Sequence, residues 1–379
     1  MYYMSSPRLL IIGTGLVILA IFYLLIWSLI KYGAKLYRFA KSLAFSLWPA
    51  LRQNAYIADF ISQQPQLVDF VKKRTNRRSF WGLNATILGL IFLYLLFAFL
   101  GIIEDFISSA PIVAADARIN NFLLLFRSDY YIKIFSAITL FGRSYTIVSL
   151  LIILSLLFWL WQKKSYIIPI LITLGGASLL SFLSKLAFHR ARPPFPVYLE
   201  DSFAFPSGHA TIAMATYGFV TYFLLRNTKK LFSKILILLL GLLIIFLIGL
   251  SRLYLGVHYL SDVLAGYLLG ALWLVFGISL VEWHLDSQKQ QNTETIAVDT
   301  KKVLNCRQKK LFTLILIGLE LSFIVYTIFN YHPNQPTPLA PKSEFIENIF
   351  DLPAKANWSR YTERKNLFQN LREATAILI

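Results

Sequence analysis

The stretch RLLIIGTGLVILAIFYLLIWSLIK, residues 8–31, decides the class of the fold. About 22 of these residues form a nearly unbroken apolar run, and a helix needs ~20 such residues to cross the hydrocarbon core of a bilayer. A cleaved secretory signal has a shorter apolar region and ends on small residues. This run is longer and closes on bulky Leu, Ile and Trp, so it predicts a retained transmembrane helix.

The same criterion, carried outward, gives eight apolar segments: 9–30, 84–103, 134–161, 166–186, 210–226, 234–251, 261–281 and 311–329. The third is long enough to tilt or to start outside the core, and the fifth and sixth are short. Composition agrees with a membrane protein: 57% of residues are hydrophobic and 15% charged, against about 25% charged in a soluble domain. The single cysteine, Cys306, excludes a disulfide framework and a cysteine-based metal cluster. A net charge of +18 raises nucleic acid as a partner. The basic residues, however, gather in short linkers beside apolar runs, as they do in polytopic membrane proteins.

Those linkers orient the chain. Segment 31–83 holds ten Lys and Arg against two Asp, including KKRTNRR at 72–78. RNTKK (226–230), KKVLNCRQKK (301–310) and the pair Lys163–Lys164 fall on the same side if the helices alternate. Loops 104–133, 187–209 and 252–260 then fall on the other. The expectation is an outside N-terminus, cytoplasmic basic linkers and an outside C-terminus. Within 31–83, aromatic and aliphatic residues recur at helical spacing beside basic ones, which predicts short amphipathic helices along the inner interface.

Three polar groups collect on the outer side. In KLAFHRARPPF (185–195), Lys185 ends an apolar helix and Arg192 follows seven residues later, held extended by Pro193 and Pro194. Either cation alone could snorkel to headgroups, and His189 and Arg190 between them could point at lipid. In FPSGHA (205–210), Pro206 and Ser207 open a helix whose first-turn N–H groups face outward as an anion site. Gly208 admits an anion close to the backbone, Ser207 adds a hydroxyl, and His209 stands beside it. In SRLYLGVHYLSD (251–262), Arg252 ends one helix, and His258 and Asp262 share a face if the segment is helical. A carboxylate beside an imidazole fixes its tautomer, although a buried structural His–Asp pair has the same spacing. The other histidines of the five, His284 and His332, lack comparable neighbours. Lysine, arginine and backbone N–H groups match phosphate oxygens, so the set reads as a phosphate pocket. There is no HExxH and no cysteine pair, and no metal or other cofactor is expected.

These residues resemble the type 2 phosphatidic acid phosphatase (PAP2) family, with its three-part signature K-x6-RP, PSGH and SR-x5-H-x3-D. Lys185, Arg192 and Pro193 fit the first part, Pro206 to His209 the second, and Ser251, Arg252, His258 and Asp262 the third. The resemblance covers roughly 84–282. It implies an all-α, polytopic six-helix core with one extra transmembrane helix on each side. It also implies His258 as a nucleophile forming a phosphohistidine, Asp262 as its orienting partner and His209 as the general acid. Lys185, Arg192, Ser207, Gly208 and Arg252 would hold the phosphoryl oxygens, while His189 and Arg190 have no signature role. Soluble vanadate-dependent oxidases resemble the family at the same residues but lack spanning helices.

Four regions are expected: an N-terminal helix and basic interfacial linker (1–83), a phosphatase core (84–282), a cytoplasmic linker with an eighth helix (283–329) and an extracytoplasmic tail (330–379). The flanks are faintly similar to fusions of DedA-type, PAP2 and LssY-type domains. An outward site at membrane level suits a lipid phosphate in a bacterial inner membrane, with undecaprenyl diphosphate leading. Phosphatidic acid, phosphatidylglycerol phosphate and lipid A phosphates are alternatives. An anion transporter would show repeats or broken midplane helices in both halves, and a lipid-sensing protein with a decayed site would show gaps in the polar set. Membrane lipids and the lipid phosphate are the expected partners, with no nucleic acid.

Overall fold

The computed structural model describes residues 53–76, 79–108, 111–292 and 305–331, with scattered positions between 32 and 49. The first expected helix, 9–30, and the chain beyond Tyr331 lie outside the described residues. The first elements with described bounds are two short helices, α1 (Ala55–Gln63) and α2 (Pro65–Thr75). Asn54 caps α1, its side chain accepting from the Tyr56 N–H at 3.0 Å. Pro65 opens α2, where its missing donor costs nothing. Lys72, Lys73 and Arg74 occupy the last turn of α2, favourable at the negative end of the helix dipole. Tyr56, Phe60, Phe70 and Val71 are exposed on this pair.

Among the described residues nine longer helices follow: α3 (Ala85–Ile107), α4 (Pro111–Leu125), α5 (Asp129–Leu140), α6 (Ser144–Leu160), α7 (Ile167–Phe188), α8 (Gly208–Asn227), α9 (Leu231–Tyr254), α10 (Leu260–Asn292) and α11 (Cys306–Phe329). Five described segments are long and apolar enough to cross a membrane: Phe80–Ile107, Lys164–Phe188, Leu231–Tyr254, Leu260–Gln290 and Arg307–Phe329. The pair α5 and α6 makes a sixth if it is counted as one bent span. The chain is an all-α, multi-pass membrane protein.

Three sequence readings change here. The expected span 134–161 is broken, with α5 and α6 meeting at 41° across Phe141–Arg143. Gly142 sits at the break, where a Cβ would lie 2.9 Å from the Ile248 side chain and 3.1 Å from the His209 ring. The backbone comes this close only because glycine has no side chain. Loop 104–133 contains α4, whose Asp116 and Asn120 are buried. Finally, α8 falls short of the apolar criterion applied to the other spans. It packs against α7, α9 and α10 and buries Ala210, Thr211, Ala213, Ala215, Thr216 and Phe219. A helix surrounded by protein can carry small and polar residues that a lipid-facing helix cannot.

The core runs through the same helices. Ile170, Leu174 and Ala177 of α7 cluster with Ala215 and Phe219 of α8 and Val281 of α10. A second cluster joins Phe99 of α3 to Phe205, Ala265 and Leu269. In contrast, α3 leaves Leu90, Tyr94 and Phe97 exposed, apolar surface suited to lipid. These contacts fix the ends of α7, α8, α9 and α10, where the polar residues gather.

Candidate active site

Helix α7 stops at His189, which takes the left-handed conformation (φ 47°) and donates its N–H to the Lys185 carbonyl at 3.1 Å. The chain then crosses the end of the bundle in a loop tied down by backbone bonds. The Val197 N–H donates to the Leu255 carbonyl and the Ala204 N–H to the Arg190 carbonyl, both at 2.9 Å. Ser207 caps α8 and gives its own N–H to the carbonyl of Asp262 at 2.9 Å, joining the second polar group to the third. Beyond α9 the turn passes through Gly256 at φ +66°. The buried Arg127 braces it, donating from Nε to the Tyr254 carbonyl at 3.0 Å and from Nη1 to the Phe195 carbonyl.

The three cations converge. Lys185 donates to the Phe203 carbonyl and lies 3.4 Å from Ser202 Oγ. Arg192 donates from Nη1 to the Val257 carbonyl at 2.6 Å, and the same nitrogen faces His258 Nε2 at 3.3 Å. Buried Arg252 donates to Thr139 Oγ1 at 2.7 Å and to the Tyr198 hydroxyl at 2.6 Å. Glu200, which the sequence reading passed over, joins the two arginines: one oxygen is 2.8 Å from Arg192 Nη2 and the other pairs with Arg252. Burial pushes this carboxyl up, but Arg252, His209, Arg192 and His258 together hold it far below the usual carboxylate range. The only hint in the sequence is an acid amid the basic residues of the outer loop.

His258 lies in the turn before α10, so the condition that the segment be helical is not met at this residue. The pairing survives because Asp262 sits in the first turn of α10 and reaches back. Its Oδ2 is 3.5 Å from His258 Nδ1 and accepts the Tyr259 N–H at 2.8 Å. Burial lowers the His258 pKa to about 3, with Asp262 offsetting only part of the shift. The imidazole is therefore neutral at neutral pH. Nδ1 faces the carboxylate, and Nε2 opens toward Arg192.

His209 stands in the first turn of α8, beside the break at Gly142. Among the described residues, four buried polar atoms of the site, Ser207 Oγ, His209 Nε2, Arg252 Nε and His258 Nδ1, have no hydrogen-bond partner within the protein, the last facing Asp262 only at ion-pair distance. Such atoms are costly unless a ligand or solvent meets them. Helix geometry also leaves the N–H groups of Gly208 and His209 without an intrahelical acceptor. A Cβ at Gly208 would meet only Ser181 Oγ at 3.9 Å and Lys185 Cε at 4.0 Å, so the backbone there faces open space on the lysine side. Donors of this kind suit a tetrahedral oxyanion. Among the described residues, no group of three or more His, Cys, Asp or Glu side chains could hold a metal ion.

The structure thus gathers Lys185, Arg192, Ser207, Gly208, His209, Arg252, His258 and Asp262 at one end of the bundle, and it corrects the reading of Arg190. That residue is buried, not turned to lipid: it pairs with Asp262 and, at 2.7 Å, with Asp116. The end of α11 also reaches the site. The Tyr331 hydroxyl accepts from Arg143 Nη2 at 3.2 Å, and the same guanidinium lies 4.8 Å from the Tyr331 ring.

The sequence profile of the PAP2 superfamily matches residues 166–286. Phosphatidylglycerophosphatase B of Bacillus subtilis is 33% identical over 180 residues, which are 47% of this chain and 88% of that protein. The undecaprenyl-diphosphatase of Sulfolobus acidocaldarius is 31% identical over 163 residues, 41% of this chain and 68% of that protein. The crystal structure of a transmembrane PAP2-type phosphatidylglycerolphosphate phosphatase from Bacillus subtilis aligns with a TM-score of 0.41 and 28% identity, covering 56% of this chain and 98% of that one. The likeness of the flanks to DedA and LssY fusions finds no support in these matches.

Proposed function

The chain belongs to the PAP2 superfamily, and from that premise we propose that it hydrolyses a lipid phosphate or diphosphate at the outer face of a bacterial cytoplasmic membrane through a phosphohistidine. The observation that carries this reading is the orientation of His258. Asp262 faces Nδ1, while Nε2 opens to the place where Arg192, Arg252, Ser207 and the start of α8 converge.

In the proposed reaction, His258 Nε2 attacks phosphorus and the bond to the leaving oxygen breaks. His209 Nε2 gives that oxygen its proton. Water then attacks the phosphohistidine, His209 takes the water's proton, and phosphate leaves with His258 restored. Lys185, Arg192, Arg252, the Ser207 hydroxyl and the N–H groups around Gly208 carry the charge that spreads over the phosphoryl oxygens. A neutral imidazole oriented by a carboxylate is the form such a nucleophile requires.

Undecaprenyl diphosphate is the leading substrate, in keeping with the name of the Sulfolobus relative. Phosphatidylglycerol phosphate is the second, favoured by the name of the Bacillus relative, whose match spans more of its own length. Phosphate release from purified protein in detergent with EDTA decides between them, using both lipids, undecaprenyl phosphate and phosphatidic acid. Release from one lipid is expected to fall by at least ~10³-fold in His258→Ala, the scale of losing a nucleophile. Release that survives the substitution overturns the mechanism, and no release from any lipid by folded protein overturns the activity.

A further inference from the structure

Behind the His258–Asp262 pair lies a charged cluster that no signature residue explains. Asp262 Oδ1 pairs with Arg190 Nη1. Arg190 Nη2 lies 2.7 Å from Asp116 Oδ2, and Arg190 Nη1 also donates to Ser261 Oγ at 2.6 Å. Asp116 closes the ring by accepting the Ser261 N–H at 2.9 Å and the Ser261 hydroxyl. All four residues are buried. The guanidinium is also held between two rings, 4.8 Å from the centroid of Phe106 and 4.5 Å from that of Tyr259.

We propose that Arg190 and Asp116 are positioning residues for the reaction: they fix the plane of the Asp262 carboxylate and leave it the charge that His258 needs. The geometry separates the two oxygens of Asp262. Arg190 holds Oδ1, and Oδ2 is thereby turned to His258 Nδ1. A planar guanidinium can hold one carboxylate in place while bonding a second, which an ammonium group cannot do with the same geometry.

The charge count gives Asp116 its part. Asp116, Arg190 and Asp262 together carry one net negative charge, so one carboxylate charge remains to support a positive imidazole. Without Asp116 the count is zero, and Arg190 draws the whole Asp262 charge away from His258. Asp116 comes from α4, outside the residues that match the family profile.

The inference rests on His258 being the nucleophile, so its test reads the imidazole separately from turnover. The chain has five histidines, few enough for ¹⁵N-histidine spectra of the full protein in detergent, with His258→Gln assigning the resonance. Asp116→Asn is expected to lower kcat by about 10–100-fold, by analogy with the range for carboxylates that orient metal-bound histidines, with KM changed less than about threefold. The His258 ¹⁵N shifts should move as Nδ1 loses its fixed proton. Arg190→Lys should behave likewise, and Ser261→Ala, which removes no charge, should give the same changes at smaller size if the charge variants fail to fold. If folded variants leave the His258 shifts at their wild-type values, or change kcat and KM together without moving them, the proposal falls. If the shifts move in a protein that releases no phosphate, the positioning stands and the phosphatase reading alone falls.

Discussion

Glu200 sits between two guanidinium groups in the posture of an anionic ligand, one oxygen on Arg192 and one on Arg252. A phosphoryl group entering the pocket must share or take those donors. Removing the negative charge while keeping the side chain's size should therefore favour anions. Glu200→Gln is expected to tighten inhibition by inorganic phosphate by roughly tenfold, equivalent to about 1.4 kcal/mol. Unchanged inhibition in a phosphate titration would mean that the carboxylate only braces the arginines. Lys185, Arg192, His209, Arg252, His258 and Asp262 could be found in the sequence because short-range spacing links them to one chemistry. Glu200, Asp116 and Arg190 could not, because each takes its meaning from partners brought close only by folding. Arg190 shows the difficulty: beside an apolar helix it reads as a headgroup contact, yet it is among the most deeply buried side chains.

At the level of elements, the turn between α9 and α10 places His258, and it depends on Gly256. That residue has φ +66°, and a Cβ there would lie 1.9 Å from Arg127 Nη2. Gly256→Ala combines backbone strain with a clash against the arginine that braces the turn. It is expected to destabilise the protein by about 1–3 kcal/mol, seen as a lower thermal midpoint in detergent, and a midpoint equal to wild type would show that the turn yields freely. Hydropathy located α3, α7, α9, α10 and α11 because lipid or a greasy core surrounds them. It blurred α8, whose neighbours are protein, and it merged α5 with α6 because apolar content does not register a break at Gly142. Helix α4 was missed for a related reason: its Asp116 and Asn120 read as loop residues until their burial is known.

For the whole molecule, the charge pattern predicts an orientation of the bundle, and Cys306 can report on it. As the only cysteine, it starts α11 on the side assigned to the cytoplasm. A membrane-impermeant maleimide should leave it unlabelled in spheroplasts and label it after permeabilisation, whereas Ser202→Cys in a Cys306→Ser chain should label at once. The reverse pattern would invert the topology. The course of the described chain has a further consequence. The profile match spans residues 166–286, yet α4 delivers Asp116 to the cluster behind Asp262, and Tyr331, just beyond α11, reaches Arg143. A graft of 166–286 into a relative would carry the signature but leave behind two of its supports, so compatible exchange between such chains requires crossover points far outside the recognisable family segment.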